Sequence, residues 1–322
     1  MHEPLHTVDE MEMALTDSGV VCALPSLGVL HVAGEDAAEF LHNQLTQSVR
    51  ALGESHSMLA AWCNPKGRTR ALFRVVPSDT GLLLIADADL LEALRPKLQM
   101  FILRARVALT DLSDAEGLLG LAGPTAETLL TEAAGSLPDR PDTLTRAGDL
   151  HIIALPGEQG LRYLLLAPAE QLKAFSQRFG ETLTAGSESF WRLQDIRVGL
   201  PAITPATSES IIPTMLNLES LGGISYEKGC YPGQEVVARM HYRGQLKRRL
   251  YRAAVGGEPP VPGSAVTDTD GGEAGTVISA AAAPGGGSEL LAVLRIDKAD
   301  TETLSTDGLR LQLLDLPYPP PA

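Results

Sequence analysis

Short apolar runs with period-two alternation, broken by turns, dominate the first hundred residues. Residues 20–33 alternate up to Gly34 and predict a strand. Asp36 then stands where it caps a helix whose Ala37, Phe40, Leu41, Leu45 and Val49 share one face. Residues 59–62 and 71–76 predict strands joined by the Asn64-Pro65-Lys66-Gly67 turn, and residues 82–86 a further strand. Asp89 is placed to cap a helix reaching about residue 103, with Pro96 as a break or kink, and residues 107–112 return to strand.

A second unit of the same kind follows. Apolar residues 118–122 lead into Gly123-Pro124-Thr125, which starts a helix ending near Gly135. Residues 136–148 are polar and hold Pro138 and Pro141, which predicts a surface loop. Residues 150–155 and 163–166 predict a hairpin around Pro156-Gly157 and Gly160, followed by helices at about 168–180 and 187–197. Hairpin-joined strands mixed with helices favour antiparallel sheets. Beyond about residue 245 short Val/Leu/Ile runs alternate with Gly, Pro, Asp and Ser, which predicts a small β-barrel or sandwich. Residues 280–288 predict a flexible hairpin loop and residues 317–322 an extended tail. The fold class is therefore α+β, with largely antiparallel units over 1–112 and 113–244 and a barrel over 245–322.

The 322 residues exceed one ordinary core. No apolar run approaches the roughly 18 residues of a membrane span, and the acidic start lacks the basic and apolar regions of a signal peptide. Cys22, Cys63 and Cys230 form no C-x-x-C pair, so a reduced, cytoplasmic protein without a disulfide framework or a bound metal is expected. A net charge of −14 argues against direct binding to nucleic acid or anionic membrane. Two acid-free basic groups stand out against it. One is Lys66, Arg68, Arg70 and Arg74; the other runs from Arg239 through Arg243, Lys247, Arg248 and Arg249 to Arg252. Both point to a particular anion.

The densest chemistry lies in Lys228-Gly229-Cys230-Tyr231-Pro232-Gly233-Gln234-Glu235. Its glycines and proline predict a loop, and the ammonium beside Cys230 favours thiolate over thiol. The plainer reading is a glycine-rich turn with an incidental cysteine. No histidine is placed beside the thiol by sequence, though His151 and His241 are candidates.

Read on to Arg239, this segment closely resembles the K-G-C-Y-x-G-Q-E signature of the YgfZ-type folate-binding proteins, relatives of the folate-dependent aminomethyltransferase of glycine cleavage. The resemblance extends over residues 191–201, 213–219 and 243–248, and over Gln44-Leu45-Thr46 and residues 63–68. It implies two α+β domains and a barrel in a ring around a folate-sized opening, lined by the Cys230 loop. It implies tetrahydrofolate or a derivative as cofactor, with Trp191 on the wall, where the plainer reading of Trp191 is core packing. Asn217 and Glu219 would then serve the pterin edge, and Arg197, Arg239, Arg243, Lys66 and Arg68 the carboxylates. The function implied is help in the assembly or repair of iron–sulfur clusters in client enzymes, some of which modify tRNA. The transferase carries a pair of acids after its Lys-Gly-Gly turn, whereas Arg68, Thr69 and Arg70 follow Lys66-Gly67 here. An arginine cannot do a carboxylate's work, which argues against aminomethyl transfer. Three readings stand open: the iron–sulfur helper, a folate-dependent one-carbon transferase or demethylase, and a non-catalytic scaffold.

Overall fold

A computed structural model describes residues 6–243, 246–299 and 303–319, apart from the Arg243 side chain. The chain opens with helix α1, Val8–Asp17, which the sequence reading did not anticipate. Its start is a capping box: Glu10 N donates to Thr7 Oγ1 at 3.2 Å, and Thr7 N donates to the Glu10 carboxylate at 2.7 Å. The expected strand over residues 20–33 is two strands, Val20–Ala23 and Leu27–Ala33, parted by Leu24-Pro25-Ser26 and assigned to different sheets. Proline cannot donate to a ladder, so the break falls there.

The first sheet has five antiparallel strands in the order Met58–Cys63, Thr69–Ser78, Gly81–Asp87, Leu27–Ala33, Ala108–Asp111. Helices α2, Ala37–His42, and α3, Ala88–Gln99, belong to it. The cap of α3 is Asp87, which accepts from Leu90 N at 3.0 Å, rather than Asp89. The helix ends before residue 103, and Pro96 is accommodated in its last turn.

The second sheet has six strands in the order Thr184–Gly186, Val20–Ala23, Glu116–Ala122, Gly160–Pro168, Leu150–Gly157, Leu144–Ala147. Its one parallel pair joins Val20–Ala23 to Thr184–Gly186. The supposed surface loop 136–148 thus contributes an edge strand, since Leu144 has a buried place to fill. Helices α4, Pro124–Ala134, and α5, Ala169–Gly180, cover one face with Leu130, Leu172 and Phe179. Alternation sends Tyr163 and Leu165 to that face, and Leu164 and Leu166 to the core shared with the first sheet. Helix α6, Glu188–Arg197, adds Trp191, Leu193 and Ile196 to the shared core.

Helix α7, Gln234–Arg243, leads to the third sheet, seven antiparallel strands curled into a nearly closed barrel. Residues 280–283, expected to be loop, lie in the strand Glu273–Ala283. Their small side chains let it pack under α6, and the turn shrinks to Pro284-Gly285-Gly286. No described helix is long and apolar enough to cross a membrane.

Arg197 closes α6 inside a ring of carboxylates. Its guanidinium bonds Glu12 of α1 at 2.7 Å, Glu158 of the second-sheet hairpin at 3.3 Å and Glu289 of the barrel at 3.1 Å. Glu289 is also bonded by Arg252 Nε at 2.8 Å. The expectation was that Arg197 serves a ligand carboxylate; here its partners are three carboxylates of the protein, and it does not border the central cavity. Removing one partner of a buried ion cluster leaves the others uncompensated, at about 3–5 kcal/mol. Arg197→Met should lower the unfolding free energy by about that amount in urea titrations. A loss below about 1 kcal/mol would show the cluster to be incidental.

Candidate functional site

Two features meet the requirements for chemistry: a central cavity and the cysteine loop. The cavity, about 160 Å³, lies between the first sheet, the second sheet and α6. Leu27, Leu59, Ile85, Leu164 and Ile203 make apolar walls. Trp191 borders it but is 4% exposed, packed on Gly120, where a Cβ would come within 2.4 Å of the ring. The Arg162 guanidinium sits 4.4 Å from the ring centroid, itself ion-paired to Asp195. Trp191 is therefore core packing and cavity wall at once.

Of the charged groups that line the cavity, Arg74 belongs to the first basic group of the sequence, and the others are new. Asp87, Glu188, Arg192 and Asp195 all line it. Glu188 is held by Ser26, whose amide donates at 3.1 Å. Burial, with the negative charges of Asp89 and Glu188, raises the Asp87 pKa above the usual carboxylate range. The adjacency of Arg192 to Trp191 and the Asp-x-Asp run at 87–89 were the available signals.

The cysteine loop is built glycine upon glycine. At Gly233, with φ +82°, a Cβ would come 2.6 Å from Asn64 O and from Gly67 Cα; at Gly67, φ +73°, one would strike Val236. The Asn64 side chain holds its own turn, accepting from Lys66 N at 2.9 Å and Arg68 N at 3.1 Å. Two motifs far apart in sequence thus touch through their backbones, and α7 begins from the contact, with Gln234 half-buried and Glu235 exposed.

Lys228 pins the other end of the loop. It is 9% exposed, and Nζ donates to the carbonyls of His42 and Leu45 at the end of α2. It also lies 4.8 Å from the centroid of the buried Tyr231 ring. The ammonium expected beside the thiol is thus engaged by two carbonyls and a ring. Gly229 approaches His42, with Nε2 4.0 Å from its Cβ position. His42, unnoticed in the sequence, is the imidazole beside the loop. His151 lies in the second sheet and His241 stacks on Tyr226 at 3.9 Å. Cys230 is exposed, whereas burial raises Cys22 and Cys63 to about 12.

The remaining expected ligand residues are dispersed. Asn217 is buried, donating to Leu250 O at 3.1 Å, and Glu219 accepts from Tyr226 and contacts His241 at 3.2 Å. Neither borders the cavity. Arg239 is exposed on α7, and the Arg243 side chain lies outside the described residues. Lys66 is exposed; Arg68 donates to Ser210 O, Arg70 pairs with Glu209 at 2.7 Å, and Arg74 pairs with Asp142. In the first basic group, Arg68, Arg70 and Arg74 are thus bonded within the protein.

Comparison with known proteins covers most of the chain. Residues 5–142 match the GCVT N-terminal domain, and residues 247–318 match the CAF17 C-terminal beta-barrel domain. The tRNA-modifying protein YgfZ of Yersinia pseudotuberculosis is 33% identical across 97% of both chains. That of Colwellia psychrerythraea is 32% identical across 71% of this chain and 69% of its own. Among solved structures, glycine cleavage system aminomethyltransferase T from Bartonella henselae superposes with a TM-score of 0.76, covering 96% of this chain and 89% of its own at 15% identity. That likeness shows the fold.

Lys228 gives the loop a pH signature. Burial lowers its pKa from 10.5 to about 8. Between those values the unfolded chain holds the extra proton, so stability rises with pH across that window. Wild type should gain on Lys228→Met between about pH 7.5 and pH 10 in urea unfolding. Parallel pH profiles would place the charge elsewhere.

Proposed function

This chain belongs to the YgfZ family, and from that premise we propose that it binds a reduced folate in the central cavity. In this reading it supports assembly or repair of iron–sulfur clusters in client enzymes of the cytoplasm, tRNA-modifying enzymes among them. The observation that carries the reading is the cavity itself: flat apolar walls bordered by Trp191, a carboxylate at Asp87 and a cation at Arg192. A pterin edge presents N–H donors, which Asp87 accepts; its ring suits the leucine and tryptophan walls, and Arg192 suits a glutamate tail. When bound, a reduced folate supplies one-carbon or reducing chemistry. The residues here bind it, orient it and exclude water.

Cys230 supplies the thiol for exchange or transient ligation at the client. It is exposed on a loop fixed at both ends, and the other two thiols are buried. A folate-dependent one-carbon transferase is the second reading, and Asp87 favours it, since it restores a carboxylate to the cavity by a route other than the transferase's paired acids. Turnover of tetrahydrofolate with an amine donor separates the two readings.

Tetrahydrofolate titration should quench Trp fluorescence. Asp87→Asn should weaken binding by about 10-fold or more, as expected for a hydrogen bond to a charged group; equal affinity would remove Asp87 from the site. Cys230→Ser should keep folate affinity and the unfolding midpoint. In cells lacking the wild-type protein it should leave iron–sulfur enzymes poorly active. Full restoration of those enzymes by the serine variant would reduce the loop to a shape-giving element.

A further inference from the structure

The C-terminal segment, expected to be an extended tail over 317–322, is docked as far as Pro319, and residues 320–322 lie outside the described residues. It leaves the barrel at the strand Gln312–Leu314, which pairs with residues 252–254. Tyr318 Oη then donates to Gly199 O at 2.7 Å, and Ser220 Oγ donates to Pro319 O at 3.0 Å. Gly199 is glycine for two reasons. Its φ is +69°, and a Cβ there would stand 2.7 Å from Leu316 Cδ2 and 2.7 Å from Tyr318 Oη. Pro317 and Pro319 restrict the backbone on either side of Tyr318, where the chain bends, so docking loses little chain entropy.

What Gly199 leads into matters more. It follows the end of α6, and residues 200–204 line the central cavity without regular secondary structure. Hydrogen bonds hold this wall at its two ends: Leu200 N donates to Asp195 O at 2.9 Å, and at Thr204 the amide donates to Thr207 Oγ1 at 3.1 Å while the carbonyl accepts from Thr207 N at 3.0 Å and Ser208 N at 2.9 Å. A segment of that kind opens readily unless tied from outside.

We propose that Tyr318 is a positioning residue for the central cavity: residues 316–319 form a strap, anchored on the barrel, that fixes residues 199–204 and with them one wall of the ligand site. The phenol is suited to it, because burial raises its pKa to about 12 and keeps the donor proton in place at neutral pH. The strap gives the barrel a part in ligand binding without lining the cavity with its tail.

Hydrogen exchange on the ligand-free full-length protein tests the strap directly. Tyr318→Phe keeps the ring and removes one donor. Amide exchange at Leu200 and Thr204, whose amides are hydrogen-bonded, should rise about 3- to 10-fold, and more in Tyr318→Ala, while the barrel strands exchange as in wild type. Tetrahydrofolate affinity should fall by a similar factor, since binding then also has to order the wall. This second arm rests on the folate reading. If wild type does not bind tetrahydrofolate, that reading fails while the exchange arm still judges the strap. Unchanged exchange at Leu200 and Thr204 in both variants, or an equal rise throughout the barrel, would overturn the proposal, the latter because it marks Tyr318 as a general stabiliser.

Discussion

One buried guanidinium holds the architecture together. Arg197 ends the helix that carries Trp191, and its three carboxylate partners come from the N-terminal helix, the second sheet and the barrel. A charge so enclosed is tolerable only with every partner in place. The arrangement therefore acts as an assembly check: the cavity-bordering helix is seated once all three surrounding parts have arrived. Apolar packing could have supplied adhesion here, but not that dependence on three separate segments.

The cysteine loop depends on a different constraint, the absence of side chains. Gly67 and Gly233 let two turns approach at backbone distance, and Lys228 fastens the loop to carbonyls left open at the end of α2. Between these fixed points Cys230 faces solvent. Cys230 is not among the residues that line the cavity. In the proposed function the cavity selects a small molecule, while the loop addresses a client too large to enter it.

Much of this was legible in the chain. The turn at 64–67, the hairpin at 157–160, the Pro-started helix α4 and the change to barrel after 245 all follow from local chemistry, and all are found. Trp191 was placed at the cavity by family resemblance, and it is there. The failures share a cause. Arg197, Asn217 and Glu219 are polar residues in resembling segments, and a sequence does not reveal whether a polar group faces a ligand or another part of the protein. Asp87 was passed over because two aspartates compete for one cap. His42 meets the loop only in space: Lys228, which bonds its carbonyl, lies 186 residues further along the chain. Helix α1 was legible in its capping box, Thr7-x-x-Glu10.

The strand Val20–Ala23 has a consequence for how the molecule is made. Its ladder partners, Glu116–Ala122 and Thr184–Gly186, are translated long after it, and Glu12 meets Arg197 across 185 positions. During synthesis this apolar segment waits unpaired until its first ladder partner, Glu116–Ala122, has been made, and its second edge waits for Thr184–Gly186. Such non-local closure slows folding and leaves a strand edge open to wrong pairing in the interval. This strand is thus where a chaperone has most to shield, and the second sheet cannot be completed by any fragment that lacks it.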